Sequence, residues 1–181
     1  GSLVAATRSA RRPAGGASRP AAIAAGIRWA PAVLAAGVLA LLSRMAWADF
    51  NAGRGLRARR EGRPREAAAH LERAVALNGW SASYRSNLAN LLWDGAETET
   101  ENRRILLARA AEIAWEGVRR HPADSMSYWL LGRAELRRCR WGGEAGRLEP
   151  ARLALEAAAG MNPFFGPIRQ DLDDAMKGAQ R

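Results

Sequence analysis

His70, His121 and Cys139 are the side chains best suited to hold a metal ion or attack an electrophile. A zinc site takes about four ligands in one close cluster, and these three residues do not have that spacing. A single cysteine permits no internal disulfide. Gly53-Arg54-Gly55-Leu56-Arg57-Ala58 has the form G-x-G-x-x-A. That form meets a pyrophosphate only between a strand and a helix, and no strand pattern occurs in the chain. General acid–base chemistry needs a paired or buried carboxylate. The acidic side chains fall on faces that read as solvated, and Glu97, Glu99 and Glu101 read as a solvated turn. No catalytic constellation is expected, and no metal or cofactor. Binding chemistry remains. Asn87 and Asn90 lie one helical turn apart on a polar face. Arg137, Arg138 and Arg140 surround Trp141, which is either an anchor folded onto the helices or a partner contact. These six residues are the candidate partner-binding set.

Charge does not direct the chain to nucleic acid. The net charge of the 181 residues is +10. Six arginines and no acid lie in residues 1–48, which leaves 22 basic against 18 acidic side chains in the remainder. The excess belongs to the N-terminal segment rather than to a basic face, so nucleic acid is not an expected partner.

The elements that position the candidates repeat. Glu66–Asn78 places Ala67, Leu71, Ala74, Val75 and Leu77 at helical spacing and ends in Asn78-Gly79. A variant runs from Ala110 to His121-Pro122, and another from Ala151 to Asn162-Pro163. The terminators lie 43 and 41 residues apart. Helices are predicted at about 49–61, 65–77, 81–93, 102–120, 124–138, 148–160 and 167–177. Ser81 and Asp124 are of N-cap type, and Pro122 and Pro163 cannot continue the helices before them. Trp80, Trp93, Trp115, Trp129, Phe164 and Phe165 are read as inter-helix packing. The last helix carries Gln170, Asp171, Asp173 and Asp174, a polar face suited to closing a stack.

This pattern resembles the tetratricopeptide repeat over roughly residues 48–163. Tyr128-Trp129-Leu130-Leu131-Gly132 looks like the first-helix core of that family, and Tyr84-x-x-x-Leu88-Ala89 is a looser copy. The family unit is about 34 residues, so enlarged loops are expected at 94–101 and 139–149. The resemblance implies an all-α solenoid that binds protein. It also implies that Asn87 and Asn90 face inward, where the family holds extended peptides by their backbone; a solvated polar face is the alternative.

The N-terminal part reads differently. Arg8–Pro20 is a basic linker. Trp29–Ser43 is an uncharged run of 15 residues bracketed by Arg28 and Arg44. Long arginine stems can extend such a run toward the about 20 residues that span a bilayer. Trp29 and Trp47 are spaced as an aromatic belt, roughly 27 Å apart along a helix. Arg28, Trp29, Arg44 and Trp47 are therefore the expected membrane-interface residues. A cleaved signal peptide, with Ala46-Trp47-Ala48 as the site, and a buried helix are the other readings. The basic flank before the span puts the N-terminus in the cytoplasm and the repeats in the periplasm of a bacterium.

A second resemblance joins these parts. An apolar span, Ala48-Asp49, Asn78-Gly79-Trp80 and Asn162-Pro163-Phe164 together look like the C-terminal end of O-antigen ligase or polymerase-type membrane proteins. It implies that the chain is the tail of a multi-span glycan-transferring enzyme whose catalytic residues lie elsewhere. The primary expectation is an all-α, single-pass inner-membrane scaffold that mediates protein–protein interaction as an accessory or assembly subunit. Its parts are a basic cytoplasmic segment (1–20), a transmembrane helix (21–48), about three repeat pairs (49–163) and a capping helix with tail (164–181). The expected partners are proteins of a membrane complex and the lipid bilayer.

Overall fold

Ala67 and Ala74, Ala110 and Gly117, and Ala151 and Ala158 are small residues at two-turn spacing, and each pair is buried in a helix seam. The computed structural model describes residues 19–178, with side chains over 29–177. The chain divides into two compact units, residues 1–41 and 42–181. The first helix, α1 (Arg19–Arg60), begins in the first unit. There Trp29, Val33, Leu34 and Leu39 are all exposed. Within Trp29–Arg60 an 18-residue window has a mean hydropathy of 1.6 and no buried residue, so the helix is long and apolar enough to cross a membrane.

The second unit holds the repeats. After the end of α1 come α2 (Pro64–Leu77), α3 (Ala82–Thr98), α4 (Arg103–Arg120), α5 (Ser125–Gly142), α6 (Leu148–Met161) and α7 (Gly166–Gly178). A single 3-10 turn, Ala145–Arg147, joins α5 to α6. The all-α solenoid of three helix pairs and a final helix follows the sequence expectation. Pro64 opens α2 at a position where its missing N–H costs nothing. The Asp124 carboxylate accepts from the N–H groups of Met126 at 3.3 Å and Ser127 at 3.2 Å, which starts α5. Gly143, at φ +69°, stops it in the left-handed region.

The repeat is visible in the backbone itself. Asn78, His121 and Asn162 end α2, α4 and α6 at φ/ψ of −134/78°, −134/74° and −138/77°. Each donates its N–H to the carbonyl four residues back, from Ala74, Gly117 and Ala158. Ala67, Ala110 and Ala151, seven residues before those acceptors, are buried in every pair.

Two expectations about length are corrected. The extra residues of the longer repeats are helix, not loop. Helix α3 continues to Thr98 and α5 to Gly142. The added turns persist because they bury surface: Trp93, Ala96 and Leu107 form a cluster against which Leu106 and Trp141 pack. Helix α1 also runs unbroken through the expected boundary at Ala48-Asp49.

The first helices draw together and the second helices spread. Helix α3 touches α5, and α5 touches α7, whereas the backbones of α2, α4 and α6 stay more than 8 Å from one another. The first helices therefore make the inner side of the solenoid.

Candidate functional site

The inner side is organised by one stripe of α5. Trp129, Arg133, Arg137 and Trp141 recur every four residues, so they share a helix face. Trp93 of α3 enters between the two arginines, with its ring centre 3.4 Å from the Arg133 guanidinium and 5.7 Å from that of Arg137. Arg137 also lies 4.6 Å from Trp141, whose other neighbour is Arg103 of α4 at 4.8 Å. At the opposite end Arg133 lies 4.9 Å from Trp129, which meets Phe165 edge-on at 5.4 Å. Trp129 Nε1 donates to Asp171 of α7 at 2.8 Å. Alternating cations and aromatic faces thus cross from α4 and α3 through α5 to α7. Burial pushes the Arg133 guanidinium below its ordinary value, and Asp171, Glu97 and Asp94 oppose that shift.

Asn87, Asn90, Asp94 and Glu97 recur along α3 at three- and four-residue steps, and so lie along one face. Both asparagines are half-buried. Asp94 pairs with Arg59 at the end of α1, and the field of Asp94 and Glu97 reaches Arg133. The inner face therefore presents carboxamides, carboxylates and guanidinium groups, with donors and acceptors in alternation.

The arginine set does not form one surface. Arg137 belongs to the inner stack. Arg138 turns to the other side, where it bonds Glu135 at 3.3 Å and Glu144 at 2.7 Å. Arg140 reaches α7, with Asp174 Oδ2 at 3.1 Å and the Asp174 carbonyl at 2.7 Å. Trp141 sits in the last turn of α5 rather than in a loop, half-buried against the cluster of Trp93, Ala96 and Leu107. Helix extension moved it: the one further turn beyond Arg138, to Gly142, was not visible as apolar periodicity.

At the membrane-interface positions, the Arg28 side chain lies outside the described residues. Trp29 and Trp47 are exposed, and Trp47 stacks on Phe50 at 5.1 Å. Arg44 is engaged within the repeat unit. Its Nε donates to the Leu77 carbonyl at 2.6 Å and its Nη2 to the Ala76 carbonyl at 3.2 Å. A guanidinium at a helix C-terminus satisfies carbonyls that the helix leaves free.

Other residues need correction. Trp93 and Trp129 are buried and Phe165 half-buried, but Trp80 is 72% exposed, Trp115 53% and Phe164 93%. The three exposed rings are not inter-helix packing, because each lies on a turn or an outer helix face with no helix opposite. Glu135 is the residue that the sequence reading missed. It is buried, not solvated, and burial pushes its carboxyl above the usual range despite Arg138 and Arg147 nearby. Its signal was the stripe Tyr128, Leu131, Glu135, in which an acid takes an apolar position.

The two histidines suited to metal are engaged in structural contacts. His70 Nδ1 lies 3.2 Å from Asn51 Oδ1 in the seam between α1 and α2. His121 Nε2 lies 2.7 Å from the Trp80 carbonyl. Among the described residues no three His, Cys, Asp or Glu side chains are grouped to hold an ion.

No protein-family model matches the chain, and no curated protein matches it in sequence. Solved structures do match in fold. The TPR domain of Arabidopsis OM64 has a TM-score of 0.60 at 17% identity, covering 74% of this chain and 98% of its own. The first TPR of Spaghetti (RPAP3), bound to the HSP90 peptide SRMEEVD, gives 0.62 at 13% identity over 76% and 98%. The chain has the tetratricopeptide-repeat fold. The second TPR domain of human RPAP3, in complex with the HSP70 peptide SGPTIEEVD, gives 0.57 at 16% identity over 75% and 98%. At these identities the likeness shows the TPR fold and no more. Nothing in it extends to O-antigen ligases or polymerases.

Proposed function

We propose that the chain is a membrane-anchored TPR scaffold that binds a protein segment on its inner face, as an accessory or assembly subunit of a bacterial inner-membrane complex. The observation that carries this reading is the α3 stripe of Asn87, Asn90, Asp94 and Glu97, whose two carboxylates act on Arg133 of α5, on the inner side of a TPR fold. Carboxamides can pair with both the N–H and the C=O of an extended backbone. Two of the structural neighbours are bound to peptides, which supports the same use here. The exposed apolar side chains of α1 support an anchor, and the basic flank before it supports a cytoplasmic N-terminus. Tethering raises the effective concentration of a partner in the same membrane. The role is binding, not catalysis.

A photoreactive amino acid at position 90 of the full chain tests the inner face in native membranes. The expected result is one discrete adduct that is absent when the probe is moved to position 73 on α2. Equal labelling from both positions, or none from 90, overturns it. Alkaline carbonate extraction tests the anchor: the full chain should stay in the pellet, and a chain lacking 21–43 should be released.

A further inference from the structure

Because α4 and α6 spread apart over α5, a trough opens on the outer side, opposite the stripe of Asn87 and Asn90. Its volume is about 530 Å³. Its lips are Trp115 of α4 and Leu153 of α6, 53% and 54% exposed. Alanines 108, 111 and 154 keep its sides low. Helix α5 is antiparallel to both neighbours, so Trp115 and Tyr128 share one end, and Glu135, Arg138 and Arg147 share the other.

The charged end is built but incomplete. Glu135 is only 6% exposed, and its Oε1 lies 3.3 Å from Arg138 Nη1 and 3.6 Å from Arg147 Nη1. Its Oε2 is buried with no hydrogen-bond partner, and so is Arg138 Nε. Among the described residues, the Glu135–Arg138 contact thus leaves one acceptor and one donor of the same ion pair without a partner. An ammonium would meet the acceptor and oppose the arginines. A carboxylate would meet the donor and oppose Glu135. A carboxamide both donates and accepts, and it carries no charge into a cluster in which Glu135 and Glu144 already balance Arg138 and Arg147.

We infer that the trough is a second protein-docking site, and that its occupant is a partner helix presenting a large apolar side chain and, seven residues away, Gln or Asn. The spacing comes from α5: Tyr128 and Glu135 are seven residues apart, roughly 10 Å along the axis, which is two turns of a helix lying parallel to it. Low alanine sides between two raised helices admit a third helix closely, with its apolar residue between Trp115 and Leu153.

The test uses the full chain in lipid nanodiscs and a fluorescein-labelled alanine-based helical peptide of about 16 residues. The peptide carries Leu and, seven residues on, Gln; its twins carry Glu or Lys in place of Gln. Anisotropy should show the Gln peptide bound about tenfold more tightly than either twin, the effect of one hydrogen bond to a charged group. Leu153→Arg or Trp115→Ala, both on exposed lips, should abolish the preference without changing the melting temperature. Asn90→Ala, on the inner face, should leave it intact, so failure of the inner-face reading and failure of this one are separable. Equal affinities, absence of binding, or a preference that survives Leu153→Arg overturns the inference.

Discussion

The guanidinium carbon of Arg133 lies 3.4 Å from the centre of the Trp93 ring, and this contact joins the first helix of one repeat to the first helix of the next. Arg133→Met keeps the apolar stem and removes the charge. It should cost about 1 kcal/mol in urea unfolding. Trp93→Leu also removes the ring between Arg133 and Arg137 and should cost about 3 kcal/mol. Unchanged midpoints for both variants would remove the stack from the forces that join α3 to α5.

Gly132 of α5 and Gly53 of α1 should respond oppositely to the same change. A Cβ on Gly132 would stand 2.6 Å from Leu155 Cγ and 2.9 Å from the Ala151 carbonyl, while one on Gly53 would meet nothing within 4 Å. Gly132→Ala should destabilise by about 2 kcal/mol through overpacking. Gly53→Ala should stabilise by up to about 1 kcal/mol through helix propensity. Thermal melts that move in the same direction would contradict the helix packing described for α5 and α6.

Tyr84 links α3 to α1 through its hydroxyl, which donates to Asp49. Burial, and then that carboxylate, push its ionisation up to about 12. A phenol raised in the folded state contributes stability that is complete below the ordinary value of 10.0 and is lost as pH rises to about 12. In a Tyr128→Phe background, where Tyr84 is the sole tyrosine, tyrosinate absorbance should rise near pH 12. Asp49→Asn should move that titration downward; an unmoved curve would deny the contact.

Helix α7 closes the stack by burying Ile168 and Ala175 against the third repeat. Ile168→Ala should cost about 3 kcal/mol. Deleting residues 166–181 should expose the α5–α6 core and produce aggregates in light scattering. A monodisperse truncated protein would show that the third repeat needs no cap.

The parts of the fold that were legible in the sequence are those written in local chemistry. Asn78, His121 and Asn162 marked the three helix ends, and Tyr128-Trp129-Leu130-Leu131-Gly132 marked the first helix of the third pair. The misread parts depend on distant partners. Gly95 and the acidic run after it looked like breakers, yet Ala96 is buried against Leu107, and Trp141 is held by Arg103 from another helix. No local pattern announces a cation 38 residues away in the chain. Arg137, Arg138 and Arg140 read as one patch because they are adjacent in sequence, but a helix rotates about 100° per residue and sends them to different neighbours. Glu135 looked solvated because Arg138 stands one turn on, the arrangement common on exposed faces.

The added residues of α3 and the start of α4 lie at the same tip of one helical hairpin, joined by residues 99–102. Arg103 at the start of α4 already meets Trp141 of the next repeat at 4.8 Å, whereas residues 99–102 are exposed beyond that contact. That tip is therefore a natural graft point: a further turn on each arm, or a foreign helical hairpin inserted there, would project from the solenoid like a handle while the stacking beneath it stays in register.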